Sequence, residues 1–518
     1  MTLPDVATLI LELRTDLCKR YKFDKPENSE AYARWLITNG INEYQALITD
    51  KNFLRSLRHK KSSHSLTYLQ KLIYQSRPDV QEAFPLTDQL ESFLQWFYTY
   101  GVTEHKLWPF LTDAEQRFAL IQPGPWPDSI RATISQNDRP ISNLLFSNRP
   151  FGANVIGYAF GQLGIGEDAR MTARSLLAAG VPMTMLNFQP GKRIPQNDRS
   201  MANHVFEEGL YAFNIFCLTA LEHGRYYAEH GKSQLVGRYN IGYWPWELEK
   251  WPESWEAMTK LVDEVWVSTQ YTYDALKPIC SVPVFIMPMA VEIGSMKATD
   301  SRIKTRQKYV LPKSAKLFCF SFDLNSSIYR KNPQACVNAF LQAFPISEWT
   351  KDQVGLVIKM YKPAKRNIVW EKLKKLALMD DRIHIVEETL SRSDLLALYK
   401  ACDCFVSLHR AEGFGRGLAE ALQLGLHVIT TGYSGNIDFC KPPQADLVNY
   451  RLVKVKKGQY PYSDGQVWAE ADITQAAELM RKFALMKSSK RSKKDWSEFS
   501  TNIIGQRYKT RLQVIYQK

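Results

Sequence analysis

Two glutamates flank a glycine-rich turn in residues 410–425, which read RAEGFGRGLAEALQLG. The preceding run CDCFVSLH has the apolar pattern of a strand, and GLAEALQLG is typical of a helix, so the turn joins a strand to a helix start. Backbone N–H groups and the helix dipole at such a start favour a phosphate, and glycines let the backbone approach it closely. We therefore predict that Glu412 lies beside a ligand at the strand end and that Glu420 accepts the two hydroxyls of a ribose. An alternative in which Glu420 only favours the helix start stays open.

A longer string around this turn resembles the signature of retaining glycosyltransferases of family four. It reads SLHRAEGFGRGLAE in residues 407–420 and continues as GYSGNID in residues 432–438. That family has the GT-B fold, in which two doubly wound Rossmann-like α/β domains face a cleft. The resemblance implies that Glu412 contacts the sugar of a nucleotide-sugar donor and that Glu420 contacts its ribose. It assigns the remaining donor contacts to Gly413, Phe414, Gly415, Arg416, Gly417, Leu418, His409 and Gly164. A purely structural role is the open alternative for His409.

Three further segments extend the resemblance over about residues 150–500. YRKNP in residues 329–333 resembles the segment that supplies a lysine to the donor pyrophosphate, which implies Lys331 with Arg330 as the second cation. GQLGIGEDAR in residues 161–170 resembles the first-strand loop that faces the cleft. GYWPWE in residues 242–247 resembles an aromatic and acidic segment of bacterial members, which implies that Trp244, Trp246 and Glu247 lie on the acceptor side. A packed aromatic turn is the alternative for this last segment.

The implied reaction transfers a hexose or a related sugar with retention of its anomeric configuration. The departing nucleoside diphosphate gathers negative charge, which Lys331 and Arg330 would stabilise together with backbone amides. We find no convincing Asp-x-Asp metal motif and predict a metal-independent enzyme without a cofactor. In the front-face attack usually described for the family, Glu412 positions the sugar and supports positive charge instead of forming a covalent bond.

The chain has 518 residues and is too long for one hydrophobic core. Residues 32–50 and 93–113 resemble each other, which predicts a duplicated helical module over residues 1–120 in which Gly40 and Gly101 cap helices that carry Trp35 and Trp96. Prolines mark a linker over residues 121–150. Alternating strands and helices predict an acceptor-side Rossmann-like domain over residues 151–293 and a donor-side one over residues 294–495. Residues 496–518 are predicted as a helix that crosses back to the first of these domains.

Composition and charge restrict the setting of the protein. Eight scattered cysteines predict reduced thiols of a cytoplasmic protein, and we recognise neither a signal peptide nor a membrane span. The formal net charge is +14, part of it in residues 58–61 and 487–494. These clusters are either solvated helix ends or a peripheral contact with the inner face of the cell membrane. We predict no nucleic-acid partner, because no nucleic-acid motif accompanies the charge.

The leading prediction is an enzyme that extends a glycan or lipid-linked glycan acceptor in a bacterial surface polysaccharide such as O-antigen or capsule. The N-terminal helical repeats would then recruit protein partners or serve as a scaffold. The alternative is a noncatalytic interaction scaffold with a degenerate GT-B region. The joint presence of Glu412, Glu420 and Lys331 argues against that alternative.

Overall fold

The computed structural model describes residues 5–23, 25–60, 62, 65–120, 145–191, 194–293, 301–324, 326–360, 367–486 and 496–517. The chain divides into two compact units. The first consists of residues 1–150, 220–240 and 257–263, and the second of residues 151–219, 241–256 and 264–518. The domain boundaries predicted from the sequence stay a prediction. Residues 121–144 of the predicted linker and the basic residues 487–494 lie outside the described residues.

Two parallel sheets dominate the second unit, and the first sheet has seven strands in the order β3-β2-β1-β4-β5-β6-β7. Its strands β1 to β7 are Ala153–Gly157, Met183–Asn187, Val205–Phe206, Phe213–Cys217, Tyr239–Tyr243, Glu264–Val267 and Val284–Ile286. Every residue of β1, β4 and β6 is buried, as expected for parallel strands covered on both faces. The chain moves outward from β1 to β3 and returns beside β1 with β4. This reversal creates a crevice at the carboxyl ends of β1 and β4.

The second sheet has six strands in the order β10-β9-β8-β11-β12-β13 and repeats the same reversal between β8 and β11. Its strands β8 to β13 are Lys316–Phe322, Val354–Met360, Ile383–Glu387, Cys404–Ser407, His427–Thr431 and Ala445–Val448. A separate antiparallel hairpin follows, formed by β14 (Tyr450–Lys454) and β15 (Val467–Ala471). The two predicted α/β domains are confirmed. The short strands β3 and β13 and the hairpin were not predicted.

Helices cover both sheets, and the loops that join strands to helices line the site described below. Those of the second unit are Gly164–Ala178, Gln270–Leu276, Arg302–Lys308, Ile328–Lys331, Pro333–Ala343, Ile368–Ala377, Arg392–Ala401, Arg416–Gln423, Ile473–Leu485 and Thr501–Tyr516. The C-terminal helix Thr501–Tyr516 packs on Gly164–Ala178, which follows β1. Gly505 permits this contact, because a side chain there would collide with the carbonyl oxygen of Ser175. The last helix of the chain therefore returns to the first sheet.

The first unit is helical, and its longer helices are Val6–Leu13, Thr15–Arg20, Pro26–Thr38, Lys51–Arg58, Tyr68–Ser76, Pro78–Ala83, Leu90–Trp96, Asp113–Leu120 and Ala220–His230. Each of the two segments that resemble each other contributes a tryptophan and a glutamate to the same kind of group, in which an arginine from earlier in the chain lies over the tryptophan ring and has two acidic partners. The members of the two groups are Arg14, Asp16, Trp35 and Glu43, and Arg77, Asp79, Trp96 and Glu104.

The glycines of the two segments do not cap helices, so that part of the prediction is wrong. Asn39 is the C-cap of Pro26–Thr38, and Gly101 lies inside a helical turn at φ −59°. A Cβ atom at Gly40 would lie 3.3 Å from the Trp35 ring, and one at Gly101 would lie 3.1 Å from the Trp96 ring. The glycines are needed because the tryptophan rings pack directly on the backbone.

Candidate active site

A pocket of about 530 Å³ lies where the carboxyl ends of the two sheets meet within the second unit. The first sheet contributes the start of Gly164–Ala178, after β1, and residues 245 and 247, after β5. The second sheet contributes the ends of β8 and β9 and the loops after β8, β10 and β11. Both topological crevices therefore open into one cavity, which is the expected place for a ligand in doubly wound folds. The pocket lining contains every predicted site residue except Trp244, Trp246 and His409.

A buried ion-pair cluster centres on Glu412, five residues beyond the end of β11. Lys331 donates to its Oε1 over 2.5 Å, and the Nη1 atom of Arg330 lies 3.1 Å from its Oε2. The backbone N–H of Glu412 donates to Ser434 Oγ over 2.8 Å, and Arg330 also donates to the carbonyl oxygen of Ala411 over 2.8 Å. These contacts hold the carboxylate and both predicted phosphate-binding cations at one point of the pocket.

The electrostatics of this cluster keep Glu412 ionised. Burial alone would raise the pKa of Glu412, but the charges of Lys331 and Arg330 outweigh it and hold the pKa well below its ordinary value. Burial lowers the pKa of Lys331, and Glu412 opposes that shift. Burial also lowers the pKa of Arg330, but the charges of Glu412 and Glu247 outweigh burial and raise that pKa. At neutral pH Glu412 is a carboxylate, suited to supporting positive charge and unsuited to donating a proton.

The turn after Glu412 has the close packing that its glycines predict. Gly415 adopts φ +95° and is the residue from which the helix Arg416–Gln423 starts. A Cβ atom at Gly413 would collide with the carbonyl oxygen of Trp246, which brings the loop after β5 directly against the turn. Thr269 Oγ1 donates to the carbonyl oxygen of Gly413 over 2.7 Å. Gly415, Arg416 and Gly417 at this helix start line the pocket, and a helix start is a place where a phosphate is stabilised.

Glu420 lies on the pocket-facing side of this helix and is 2% exposed. Its Oε1 is 2.6 Å from the Nη1 atom of Arg392. Arg392 is the first residue of the helix Arg392–Ala401, which follows β10. Leu390, Leu395 and Arg392 line the same end of the pocket. Burial lowers the pKa of Arg392, and the charge of Glu420 outweighs it and raises that pKa. Sequence reasoning missed Arg392, because no local pattern distinguishes it from an exposed arginine in a first helical turn.

Arg416 is paired across the crevice. It contacts the Asp168 carboxylate, and its Nη1 donates to the carbonyl oxygen of Ala290 over 3.2 Å. Burial raises the pKa of Asp168, and Arg416 opposes that shift. Gly164 starts the helix that carries Asp168 and borders open pocket space, since a Cβ atom added there would meet no heavy atom within 4 Å. The first turns of the two helices thus meet through one ion pair.

Lys359 is a second pocket residue that sequence reasoning missed. It lies near the end of β9, is 6% exposed and lines the pocket together with Asp323. Burial lowers the pKa of Lys359 to about 8, and Asp323 opposes that shift. A charged residue in the apolar run VGLVIKM was a usable signal, because a lysine near the carboxyl end of a buried strand points to a site.

His409 lies outside the pocket lining and is fully buried. Its Nδ1 is 3.1 Å from Ser407 Oγ, and its Nε2 is 3.1 Å from Asn436 Oδ1. Burial lowers the pKa of His409 to about 4, so the ring is neutral at pH 7. These contacts match the structural alternative, since the ring ties the strand end to the loop after β12. The predicted donor contact stays a prediction.

The aromatic segment after β5 divides into buried rings and one partly exposed acid. Trp244 and Trp246 are 1% and 3% exposed, and neither lines the pocket. Trp246 packs against Trp251 and Trp255 at ring distances of 5.6 and 5.0 Å. Glu247 does line the pocket, with 27% of its side chain exposed. The packed-turn alternative accounts for the two rings, and only Glu247 is placed to meet a substrate.

Comparison with known families identifies one match. Residues 304–449 match the family Glycosyl transferases group 1, a range that includes Lys331, Glu412 and Glu420. The match supports a glycosyltransferase. No curated protein sequence matches the chain. Among the described residues, no helix is both long and apolar enough to cross a membrane.

Several solved structures align with the chain at low identity. Sucrose-phosphate synthase from Thermosynechococcus elongatus is 14% identical, over 70% of this chain and 95% of that one, with a TM-score of 0.47. HepE of Anabaena in complex with UDP and glucose is 12% identical, over 71% and 98%, with a TM-score of 0.46. The α,α-trehalose 6-phosphate synthase from Burkholderia multivorans is 11% identical, over 71% and 99%, with a TM-score of 0.46. The fold assignment above depends on the sheet order of this chain and not on these alignments.

Proposed function

We propose that this protein transfers a sugar from a nucleotide-sugar donor to a glycan acceptor, with retention of anomeric configuration and without a metal or cofactor. One observation carries the proposal. The cluster of Lys331, Arg330 and Glu412 lies beside the N-terminus of Arg416–Gln423, in a pocket lined by both α/β halves. Cations and free backbone N–H groups at one point are suited to a diphosphate, and the adjacent carboxylate is suited to the sugar attached to it.

The geometry gives the donor a direction. Glu420 lies two turns along the same helix from the glycine turn, and Arg392, Leu390 and Leu395 lie beyond it. A donor with its diphosphate at the helix start would place its ribose toward Glu420 and its transferred sugar toward Glu412. The distance that separates the two glutamates then corresponds to the diphosphate. The family match over residues 304–449 supports this orientation.

The chemistry follows from the charges. As the bond to the sugar breaks, negative charge grows on the diphosphate, where Lys331 and Arg330 stabilise it. Positive charge grows on the sugar ring, where the ionised Glu412 supports it. The acceptor hydroxyl would enter from the side of Glu247 and attack the face that the diphosphate leaves. Its proton would pass to the departing diphosphate, so that no protein nucleophile is required.

The biological setting is part of the proposal. We propose that the acceptor is a glycan or lipid-linked glycan of a bacterial surface polysaccharide and that the enzyme works in the cytoplasm, at the inner face of the membrane. The net charge of +14 supports attraction to an anionic membrane surface.

A nucleotide screen followed by a donor screen tests the function. Calorimetry with UDP, GDP, ADP and CDP would identify the nucleotide, and release of the nucleotide from matching sugar donors would measure turnover. The variant Lys331→Ala should weaken diphosphate binding by about tenfold or more, because it removes a charge-assisted contact. Glu348→Gln is a matched control, since Glu348 pairs with Arg481 on the surface of the same half.

The screen separates the proposal from its rival. A noncatalytic scaffold predicts no nucleotide binding, or binding without any turnover of the cognate donor. Failure of all four nucleotides to bind at millimolar concentration would refute the proposed function.

A further inference from the structure

The hairpin of β14 and β15 carries a loop, residues 455–466, that touches both α/β halves at the pocket. We call it the clasp loop. An isolated two-stranded hairpin is only marginally stable, so contacts with the rest of the protein must define its conformation. Ser327, at the start of the helix that carries Lys331, donates to the carbonyl oxygen of Gln459 over 2.6 Å. This bond ties the clasp loop to the donor-side half.

The other side of the clasp loop is tied to the segment after β5. Gln466 Nε2 donates to the carbonyl oxygen of Lys250 over 2.7 Å, and the backbone N–H of Lys250 donates to Gln466 Oε1 over 3.1 Å. The ring of Tyr462 packs edge-on against Trp255 at 5.0 Å. A reciprocal pair of hydrogen bonds and a ring contact fix the loop against the segment that bears Glu247.

Tyr460 lies between these two attachments and contacts the site itself. Its hydroxyl donates to Glu247 Oε2 over 2.5 Å, and its ring lies 6.0 Å from both the Trp246 ring and the Arg330 guanidinium. The other oxygen of Glu247 is 3.6 Å from Arg330 Nη2. Glu247 is thus held at both oxygens by residues of the donor-side half, although it belongs to the other half.

We infer that Tyr460 is a positioning residue that holds Glu247 in place for the acceptor. The inference deepens the proposed function and rests on it. A carboxylate that accepts a hydrogen bond from a tyrosine on one oxygen has a fixed orientation, and the other oxygen of Glu247, 3.6 Å from Arg330, can still accept a hydrogen bond from an acceptor hydroxyl. Without the tyrosine hydroxyl, Glu247 can rotate toward Arg330 and pair with it more closely. The acceptor would lose its partner, whereas Lys331 and the glycine turn would keep their contacts with the donor.

The variant Tyr460→Phe tests this role, because it removes one hydroxyl and keeps the ring between Trp246 and Arg330. Tyr450→Phe is the matched control, since Tyr450 lies on the same hairpin and is 42% exposed. The first measurement is trypsin cleavage after Lys456 and Lys457, two exposed residues of the clasp loop. We expect faster cleavage in Tyr460→Phe, by about fivefold, because a hydrogen bond to a charged group is lost. Equal cleavage in all three proteins would overturn the inference.

The second measurement separates positioning from general damage. With the donor found in the screen, transfer to a panel of p-nitrophenyl glycosides is compared with hydrolysis of the donor by water. We expect Tyr460→Phe to lower the ratio of transfer to hydrolysis by about tenfold while UDP or GDP binding stays within about twofold of the wild type. A parallel fall in both rates, or an unchanged ratio, would overturn the inference. If the wild-type protein binds no nucleotide, the proposed function fails, and the cleavage rates still decide whether Tyr460 holds the loop.

Discussion

Replacing Glu412 by glutamine should have opposite effects on nucleotide binding and on turnover. The side chain is 8% exposed and pairs with Lys331 at 2.5 Å and Arg330 at 3.1 Å. Removing one partner from a buried ion pair costs about 3–5 kcal/mol of unfolding free energy, because the remaining charges lose their compensation. In Glu412→Gln two cations are left in this position. We therefore expect a clear loss of thermal stability in the absence of ligand.

Nucleoside diphosphate binding should become tighter in the same variant. A diphosphate bound to Lys331 and Arg330 would supply the negative charge that the variant lacks. It would also no longer be repelled by the Glu412 carboxylate. Like charges about 8 Å apart repel by about 2 kcal/mol at an effective dielectric constant of about 20. We expect the dissociation constant for the diphosphate to fall by about tenfold or more. Turnover of the donor should fall by about 100-fold, because the developing positive charge on the sugar loses its carboxylate.

Calorimetry and nucleotide release measure the two effects, and Glu420→Gln provides the contrast. Glu420 would accept ribose hydroxyls, and a neutral amide accepts them more weakly, so this variant should bind the diphosphate less tightly than the wild type. Weaker diphosphate binding in Glu412→Gln, or the same direction of change in both variants, would refute the proposal that the diphosphate replaces Glu412 as the partner of Lys331 and Arg330.

Three further outcomes are expected. Lys359 has a folded pKa of about 8, below its ordinary 10.5, so the unfolded chain binds more protons between these values and stability rises with pH across that window. Its charge favours an anionic ligand, so diphosphate affinity in calorimetry should fall by up to about tenfold from about pH 7 to 9, and Lys359→Met should remove this dependence. His409 has a folded pKa of about 4 against an ordinary 6.5, so stability should fall as pH drops from 6.5 to 4. In His409→Gln the loss of stability at acid pH, measured by urea unfolding, should be smaller than in the wild type, and diphosphate affinity should stay within about twofold. A large change in affinity would support His409 as a donor contact. Gly505→Ala should lower the unfolding free energy by about 1–3 kcal/mol, because the new methyl group meets the carbonyl oxygen of Ser175, whereas Gly191→Ala meets nothing and serves as control.

Local sequence patterns were sufficient to predict most strands of the two parallel sheets and the position of the glycine turn. Apolar runs such as KLFCFSF and HVITT correspond directly to β8 and β12, because buried parallel strands are apolar on both faces. The turn at Gly413 and Gly415 follows from a strand, two glycines and a helix pattern within a few residues. These signals are short-range, so a single sequence is enough to interpret them.

Long-range partners could not be predicted in the same way. Arg392 meets Glu420 from a helix 28 positions earlier, and Tyr460 reaches Glu247 across 213 positions. Neither residue differs in its local context from an ordinary surface residue. The tryptophans after β5 were ambiguous for a related reason, because an aromatic run is compatible with a sugar platform and with a packed cluster until its neighbours are known. Only the three-dimensional structure distinguishes these cases.

The charges of the pocket are paired with one another, and this affects how a donor would bind. Opposite charges that line the described pocket are paired, among them Lys331 and Arg330 with Glu412, Arg416 with Asp168, and Arg392 with Glu420. A diphosphate cannot simply add to such a site, because it must take its cations from carboxylates already bound to them. Its affinity is therefore a difference between two sets of ion pairs. The exchange also has a consequence for catalysis. In the proposed reaction Glu412 would become free to face the sugar only when the diphosphate has taken its partners, whereas Glu420 could retain Arg392 while it accepts the ribose hydroxyls.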